Sequence, residues 1–439
     1  MFYCKECGNE SKKWYGKCPS CKNFNTLVEV KNEVSNQNKN KQNFETDIKI
    51  EKLKDVNITK ENRLLTKIEE LDRVLGGGLV KGSLVLLGGT PGVGKSTLTL
   101  QIAKNITKDN KLLYISGEES TSQIKLRSQR LQQELTDNFL IANLKNLEQI
   151  IQESLKEQVK YLVIDSIQTI FTSNNPGVSG SVGQLKECTL NLMYFAKKHS
   201  ITIILIGHVT KDGEIAGPKL LEHMVDTVLY LEGEKNTNYK ILRSSKNRYG
   251  KVGEIGLFEM QNLGLVSLDK IQSVFLQTNQ AEEGTAIGAI EEGDRIIFLE
   301  AQALAVPVDF GYPKRTTQGY DLQRLNLLLG LIQKRLNISY SNFDCYLNIS
   351  TLLKSKTYSL DLAVIIALIS AKNGTKIPKD SLYLGEVSLN GMVKSVNKQV
   401  EKIKEAQKLG FKKVYCNSKN INISKYKIEI IHLDNITQI

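Results

Sequence analysis

No stretch of the sequence is apolar over the roughly 18–20 residues that a membrane-spanning helix requires. The N-terminal segment, MFYCKECGNE, lacks both the basic region and the apolar region that together form a secretion signal. The sequence contains no internal repeat. We therefore expect a cytoplasmic protein that neither spans a membrane nor is secreted.

The composition is ordinary for a globular protein, except that positive charge is in excess. Hydrophobic residues make up 41% of the 439 residues and charged residues 24%, and a chain of this length is expected to form two or three domains. The net charge of +12 favours a polyanionic partner, with nucleic acid as the leading candidate. Genomic base bias can also produce a Lys- and Asn-rich composition, so charge alone identifies no partner.

Composition and hydrophobic pattern divide the chain into four regions. Residues 1–30 contain two pairs of cysteines. Residues 31–60 are polar and rich in Asn, Lys and Gln, which predicts a flexible linker. Residues 61–270 alternate short apolar runs with helical patterns, and the pattern changes again in residues 271–439.

Residues 61–270 are predicted to form an α/β domain. The runs SLVLLGG, KLLYISG, YLVIDSI, ITIILIGH and DTVLYLE are dense in Val, Ile and Leu and are bounded by Gly or polar residues. Continuous hydrophobicity of this kind is typical of strands buried on both faces, as in a parallel sheet flanked by helices. The intervening segments, including TLTLQIAKNI, have helical spacing.

Residues 271–439 are predicted to form a separate α+β domain. The segment IGAIEEGDRIIFLEAQALAVP indicates hairpin-forming strands, and helical patterns follow at Gln323–Leu336 and Ser359–Lys372. SLYLGEVSLNGMVKSV indicates another hairpin, with Asn390–Gly391 at its turn. KQVEKIKEAQKLG indicates a helix that ends at Gly410.

Two Cys-x2-Cys pairs lie within the first 21 residues, at Cys4, Cys7, Cys18 and Cys21. Two such pairs supply the four thiolates of a tetrahedral zinc site, and because no ligand position stays open for a substrate, we expect a structural site. A redox Cys-x2-Cys motif is normally single and lies beside a strand and a helix. Between the pairs, Trp14 and Tyr15 are expected to pack over the metal, the alternative being an exposed aromatic surface that stacks on a base.

A phosphate-binding loop follows the first apolar run of the α/β domain. GGTPGVGKST matches G-x4-G-K-[ST] between a predicted strand and an apolar helix, which is the context that a P-loop requires. Its glycines allow backbone N–H groups to point at phosphate oxygens. We predict that Lys95 neutralises the β- and γ-phosphates of ATP and that Ser96 is a ligand of Mg²⁺. The predicted nucleotide-binding residues of the loop are Gly89, Thr90, Pro91, Gly92, Val93, Gly94, Lys95, Ser96 and Thr97.

Further polar residues follow the other buried runs. Asp165 ends the run YLVID, where Mg²⁺ would compensate a buried carboxylate, so we assign Asp165 to nucleotide and magnesium binding with Ser96. Glu118 and Glu119 follow KLLYISG; either could polarise the attacking water, and we favour Glu118 as the general base. His208 follows ITIILIG, where it either senses the γ-phosphate or caps its strand.

Together these motifs resemble a known family. The P-loop after LLGG, the segment SGEES, the segment VIDS and the segment GHVTK are similar to the RecA-like ATPase core. KNRYG, at Lys246–Gly250, is closely similar to the KNRFG signature of the RadA (Sms) family of bacterial DNA-repair proteins, with Tyr in place of Phe. That family also has an N-terminal four-cysteine zinc element and a C-terminal domain that resembles the Lon protease domain. Both regions are present here in the same order.

The resemblance implies a DNA-dependent ATPase and helicase of homologous recombination that assembles as a homohexameric ring. Family members translocate on single-stranded DNA and promote branch migration of branched intermediates together with the strand-exchange recombinase. The resemblance also implies that Lys246 and Arg248 act on the nucleotide of the neighbouring subunit, the alternative being a basic surface turn. Candidate DNA-gripping loops are Thr172–Gly183 and the loop from Lys211 to Lys219, in which Lys211 could contact the phosphate backbone.

Two other functions compete with this hypothesis. One is an ATP-dependent, Lon-like protease with a zinc module that recruits substrates, which needs a serine nucleophile beside a neutral lysine. Ser359 lies at the nucleophile position, but YSLDL replaces the family's DGPSAG pattern and Val400 occupies the expected lysine position. Lys398 and Lys402 are near, but a helix would direct both away from that face, so we expect a non-proteolytic domain that helps to close the ring. The other is a signalling ATPase without a DNA role, which would not explain the zinc element or the basic charge.

Overall fold

The computed structural model describes most of the chain outside the predicted linker. The described residues are 2–4, 10–11, 13–19, 22–29, 52, 63–132, 135–208, 221–233, 238–268, 276, 280–349 and 358–439. The chain divides into two compact units, Met1–Ser267 and Leu268–Ile439. The predicted linker apart from Lys52, the predicted DNA loop from Lys211 to Lys219, and the cysteines Cys7 and Cys21 lie outside the described residues.

A small antiparallel sheet lies at the N-terminus. Its strands are β1 (Phe2–Cys4), β2 (Glu10–Ser11) and β3 (Leu27–Glu29), in the order β2-β1-β3. Cys4 and Cys18 are buried and pack with Leu27. Because so small an apolar cluster cannot stabilise a fold by itself, this element fits a segment that is held together by a metal.

The centre of the first unit is a nine-stranded sheet. A short pair, β4 (Arg63–Leu64) and β5 (Leu79–Val80), is followed by β6 (Leu84–Gly88), β7 (Leu112–Ser116), β8 (Phe139–Ala142), β9 (Tyr161–Asp165), β10 (Thr202–Ile206), β11 (Thr227–Glu232), β12 (Tyr239–Asn247), β13 (Ile255–Gln261) and β14 (Gly264–Ser267). The order across the nine-stranded sheet is β14-β13-β12-β11-β6-β10-β9-β7-β8. The strands from β11 to β8 in this order run parallel, and β12 to β14 extend the sheet as an antiparallel meander.

Helices cover both faces of this sheet. Those in the described residues are α1 (Glu69–Leu75), α2 (Lys95–Ile106), α3 (Thr121–Arg130), α4 (Leu147–Lys156) and α5 (Val182–His199). Every residue of β6, β7 and β10 is buried. Tyr114 of β7 belongs to one apolar cluster and its neighbour Ile115 to another, because successive side chains point to opposite faces. The prediction of an α/β core with a parallel sheet buried on both faces is therefore confirmed.

The second unit is a mixed α+β fold, as predicted. Its strands are β15 (Glu282–Glu283), β16 (Thr285–Glu292), β17 (Arg295–Pro307), β18 (Arg315–Gln318), β19 (Phe343–Asn348), β20 (Lys376–Ile377), β21 (Ser381–Leu384), β22 (Glu386–Val387), β23 (Val393–Lys394), β24 (Lys413–Cys416) and β25 (Glu429–His432). Its helices are α6 (Leu322–Leu336), α7 (Asp361–Asn373) and α8 (Gln399–Lys408), with 3₁₀ turns at Ile423–Lys425 and Ile436–Gln438. The main sheet has the order β18-β19-β17-β16-β21-β24-β25.

Both predicted hairpins are present in the second unit. The strands β16 and β17 pair antiparallel, and so do β22 and β23 around the turn at Asn390–Gly391. The second predicted helix begins at Asp361 rather than Ser359, because Leu360 is its N-cap and the preceding residues form a turn. The predicted helix end at Gly410 is close to the observed end at Lys408, and Gly410 has a φ of +85°.

Candidate nucleotide-binding site

A polar cavity of about 440 Å³ lies where the parallel strands of the first unit end. Because β6, β7, β9 and β10 are parallel and in register, the residues that follow them meet at one edge of the sheet. The cavity is lined by Pro91, Gly92, Gly94, Lys95, Ser96, Thr97, Ser116, Glu118, Glu119, Arg127, Arg130, Asp165 and His208. The structure thus brings together most of the predicted nucleotide-binding residues with Glu118 and His208.

The loop between β6 and α2 has the backbone conformation that a phosphate cradle needs. Gly89, Gly92 and Gly94 have positive φ, and a Cβ at Gly89 would lie 2.4 Å from the carbonyl oxygen of Leu231. Gly94 is the N-cap of α2 and makes no side-chain cap, so the first N–H groups of the helix are left for an anion. Val93 of this loop is buried in the apolar core, which anchors the loop to the domain.

The Lys95 ammonium lies inside this loop. Its Nζ donates hydrogen bonds to the carbonyl oxygens of Gly89 at 2.8 Å and Thr90 at 3.0 Å. Burial lowers the pKa of Lys95 to about 8, although the nearby carboxylates of Asp165 and Glu118 oppose the shift. The ammonium is therefore held where phosphate charge would replace its carbonyl partners.

Asp165 and Ser96 offer oxygen ligands in the same cavity, as the Mg²⁺ prediction requires. Asp165 ends β9, is buried, and accepts a hydrogen bond from the hydroxyl of Tyr114 at 2.6 Å. Within the described ranges no three His, Cys, Asp or Glu side chains form a metal-binding group. One carboxylate and one hydroxyl fit a magnesium ion that is bound mainly through nucleotide phosphates and water. Ser96 and Asp165 would hold the ion, and the chemistry it would supply is neutralisation of phosphate charge.

Glu118 and Glu119 have different surroundings. Glu118 accepts a hydrogen bond from the Ser166 hydroxyl at 2.6 Å, and its side chain is about half exposed to the cavity. Glu119 instead pairs with the Arg127 guanidinium of α3. A carboxylate held by a hydroxyl is a better water-polarising group than one neutralised by arginine, so the surroundings favour Glu118 as the general base.

His208 links the Lys95 ammonium to Glu118. Its Nδ1 lies 3.2 Å from Lys95 Nζ, and its Nε2 lies 3.3 Å from Glu118 Oε1, although that second pair is not aligned as a hydrogen bond. Because an ammonium only donates, Nδ1 must accept, which places the imidazole proton on Nε2. Its position between two groups that would contact the γ-phosphate agrees with the sensing role considered from the sequence.

Sequence reasoning missed four residues of this site. Arg127 and Arg130 lie three positions apart on α3 and both line the cavity. Residues three apart lie on the same face of a helix. The spacing of these two arginines, soon after SGEES, could therefore have predicted that both point to the same side of α3. The Tyr114 hydroxyl donates to Asp165, and the Ser166 hydroxyl donates to Glu118. No sequence pattern predicts such hydrogen bonds between separate parts of the chain.

The structure places Lys246 and Arg248 away from this cavity. Arg248 pairs with buried Asp226 at 3.2 Å, and Asp226 accepts a hydrogen bond from the N–H of Leu84, the first residue of β6. Lys246 Nζ donates to the carbonyl oxygens of Glu222 and His223. The P-loop leaves the other end of β6, about 13 Å further along the strand. Arg248 thus lies near the end of β6 opposite to the P-loop, and neither Lys246 nor Arg248 lines the nucleotide cavity of its own chain.

The other predicted sites are described only in part. Two of the four zinc ligands, Cys4 and Cys18, are buried, while the other two lie outside the described residues. Trp14 is 55% exposed and Tyr15 48% exposed, so about half of each residue is open to solvent, and their packing over a metal stays a prediction. The Gln184 side-chain amide holds the backbone of the predicted DNA loop Thr172–Gly183. It donates hydrogen bonds to the carbonyl oxygens of Thr172, Asn175 and Gly177.

The serine and lysines considered for proteolysis do not form a dyad-like arrangement. Ser359 is buried in the turn before α7. Lys402 is completely buried and pairs with Glu291 at 2.6 Å, whereas Lys398 is the N-cap of α8 and pairs with Asp294 at 3.2 Å. Carboxylates thus bind both ammonium groups, so each lysine already has a partner other than Ser359 among the described contacts.

Comparison with known proteins gives matches along the whole chain. Family models match at residues 2–29 (rubredoxin metal binding domain), 49–214 (AAA domain) and 334–420 (subunit ChlI of Mg-chelatase). Among solved structures, that of the RadB recombinase aligns with 47% of this chain and 100% of its own, with 22% identity and a TM-score of 0.39.

Curated relatives of nearly equal length are more similar. The DNA repair protein RadA of Campylobacter jejuni is 43% identical over 95% of this chain and 94% of its own. RadA of Rickettsia bellii is 44% identical over 99% and 97%, and RadA of Bacillus subtilis is 41% identical over 100% and 97%. Since identity at this level extends over the zinc, ATPase and C-terminal regions alike, the chain belongs to the RadA family of DNA repair proteins.

Proposed function

We propose that this chain is a DNA-dependent ATPase and helicase of recombinational repair that translocates on single-stranded DNA and promotes branch migration. One observation carries the proposal furthest: the P-loop, Glu118, Asp165 and His208 converge on one cavity, while the KNRYG cations Lys246 and Arg248 do not line it. Such a site is completed by a neighbouring subunit. Hydrolysis between subunits is the arrangement by which a ring couples ATP to movement along DNA, and we propose a homohexamer.

The P-loop, Lys95, Ser96, Asp165 and Glu118 each have a proposed role in ATP hydrolysis. The backbone N–H groups of the P-loop bind the phosphates, Lys95 neutralises the β- and γ-phosphates, and Ser96 and Asp165 hold Mg²⁺. Glu118 polarises the attacking water as the general base. Arg248, with Lys246, contacts the γ-phosphate bound by the next subunit and stabilises negative charge in the transition state.

The proposed partners are single-stranded and branched DNA and the strand-exchange recombinase. The relatives are DNA repair proteins by name, which supports a role in repair. The net charge of +12 suits binding to a polyanion. Four cysteines in the N-terminal element suit a structural zinc ion, for which the rubredoxin metal binding match gives further support.

A subunit-mixing experiment tests the shared site. Lys95→Ala inactivates the P-loop but leaves Arg248 intact, and Arg248→Gln has the reverse defect. We expect each variant alone to lack DNA-stimulated ATPase activity. A 1:1 mixture should regain activity at about a quarter of the interfaces, because random mixing places an intact P-loop beside an intact arginine at that frequency.

Native mass measurement of the mixture, with and without single-stranded DNA, accompanies the ATPase assay. Lys251→Gln, which removes an exposed cation next to KNRYG, is the matched control and should retain full activity. Mixed rings that stay inactive would contradict the shared site. A wild-type ATPase rate that single-stranded DNA does not change would contradict the DNA-dependent function and favour a signalling ATPase.

The proteolytic alternative gains no support from the C-terminal unit. A Lon-like mechanism needs a neutral lysine beside Ser359. The ammonium groups of Lys398 and Lys402 are paired with Asp294 and Glu291 instead. We propose that this unit is a non-proteolytic part of the ring.

A further inference from the structure

Tyr114 is completely buried in the apolar cluster that also contains side chains of α2. Unlike its aliphatic neighbours in that cluster, it carries a hydroxyl group. It lies on β7, and the register of β7 with β9 places Ser116 opposite Asp165, two residues further along. Side chains two residues apart on a strand point to the same face. The Tyr114 ring therefore extends along the α2 face of the sheet and brings its hydroxyl to the Asp165 carboxylate, where it donates a hydrogen bond to Oδ2 at 2.6 Å.

The Tyr114 hydroxyl is not needed to fill the apolar core at this position. The ring packs among apolar neighbours, including Phe139 with a centroid distance of 6.0 Å, and a phenylalanine would fill the same volume. Burying a hydroxyl in such a cluster is unfavourable unless it is hydrogen-bonded. Here the partner is the one carboxylate that ends β9 in the nucleotide cavity, so the hydrogen bond serves the site rather than the core.

The Tyr114 ring also belongs to the apolar cluster that includes Leu98 and Ile102 of α2, the helix that follows the P-loop. Tyr114 thus lies in the core between that helix and the sheet, and its hydroxyl donates to the carboxylate at the end of β9.

We propose that Tyr114 is a positioning residue that sets the affinity of the site for the metal of the metal–nucleotide complex. Its hydrogen bond occupies Oδ2 and fixes the carboxylate orientation, so the other oxygen, Oδ1, is presented to the cavity that Asp165 lines with Ser96. Partners of this kind, which orient a ligand without touching the metal, change metal affinity by about 10–100-fold when removed. The inference rests on the proposed Mg²⁺–nucleotide site.

The test is Tyr114→Phe in the full-length chain, with Mn²⁺ as a spectroscopic probe. Binding of Mn²⁺ to the ADP-bound protein is followed by electron paramagnetic resonance, and ADP binding is measured separately in the presence of a chelator. We expect about tenfold or greater weakening of Mn²⁺ binding with unchanged metal-free ADP binding. The Mg²⁺ concentration for half-maximal ATPase activity should rise by the same factor, while the KM for ATP at saturating Mg²⁺ stays constant.

Tyr161→Phe is the matched control, because Tyr161 begins β9 at the end of the strand away from Asp165. It should leave every measured quantity unchanged. Tyr114→Met, which also removes the hydroxyl and fills the site with an adaptable apolar side chain, tests the same link if Tyr114→Phe does not fold, and it should shift Mn²⁺ binding in the same direction. Lower thermal stability with unchanged Mn²⁺ affinity in a folded variant would overturn the proposal. Wild-type protein that binds no Mn²⁺ with ADP would instead contradict the nucleotide site itself.

Discussion

At the scale of single residues, the sequence predicts which polar side chains lie at the ends of buried strands. It does not predict which other side chains they contact. Asp165 and His208 each follow a continuous apolar run, and a polar group there must face a ligand or another polar group. The hydrogen bonds that distinguish Glu118 from Glu119 come from Ser166 and Arg127, which lie on other elements. The choice between the two acids therefore depends on tertiary contacts.

The two glutamates can be separated by matched substitutions. Glu118→Gln should retain ATP binding but reduce kcat by about a hundredfold or more, because the amide cannot accept a proton from water. Glu119→Gln should have a much smaller effect, since Glu119 is neutralised by Arg127. Single-turnover ATP hydrolysis and nucleotide titration provide the measurements. The reverse ranking would assign the general base to Glu119.

At the scale of elements, a buried ionic cluster joins three parts of the second unit. Asp361, the first residue of α7, is completely buried. Its carboxylate pairs with the Arg324 guanidinium of α6. It also accepts a hydrogen bond from the Tyr320 hydroxyl at 2.5 Å and another from the N–H of Val387 in β22 at 3.0 Å. The sequence shows a helical pattern here but not this cluster, because its members are up to 67 residues apart (Tyr320 to Val387).

Asp361→Asn should destabilise this unit by about 3 kcal/mol, because Arg324 would be left buried without a counter-charge. Denaturant unfolding of the full chain, followed by fluorescence and circular dichroism, measures the change. Glu405→Gln, which removes an exposed partner of Lys408 in the last turn of α8, is the control and should have little effect. Equal stability of the two variants would show that the cluster contributes little.

At the scale of the whole molecule, the N-terminal element has a very small apolar cluster and is expected to need a metal, whereas the sheets of the two units have extensive apolar cores. The apolar cluster around Cys4 and Cys18 includes only one further buried residue among those described, Leu27. The ATPase core, by contrast, has a buried cluster on each face of a nine-stranded sheet. Zinc loss is therefore expected to unfold the N-terminal element alone.

Cys18→Ser should release zinc, and basal ATP hydrolysis should continue because the P-loop cavity is built from the sheet of the ATPase core. Metal content by elemental analysis and ATPase rate measure the two effects. Cys188→Ser is the control, since Cys188 lies on the buried face of α5 and its substitution should leave the zinc content unchanged. Unchanged zinc in Cys18→Ser would contradict the four-sulfur site.

The sequence by itself determined the order of regions, the parallel sheet and the P-loop, because each depends on local pattern or spacing. The antiparallel meander β12–β14 was not predicted, since its strands are only partly apolar and are specified by pairing with β11. Only the tertiary structure decided that Arg127 lines the nucleotide cavity and that the Tyr114 hydroxyl donates a hydrogen bond to Asp165. It also decided that Arg248 lies at the far end of β6 from the P-loop, because strand direction and register set which residues meet.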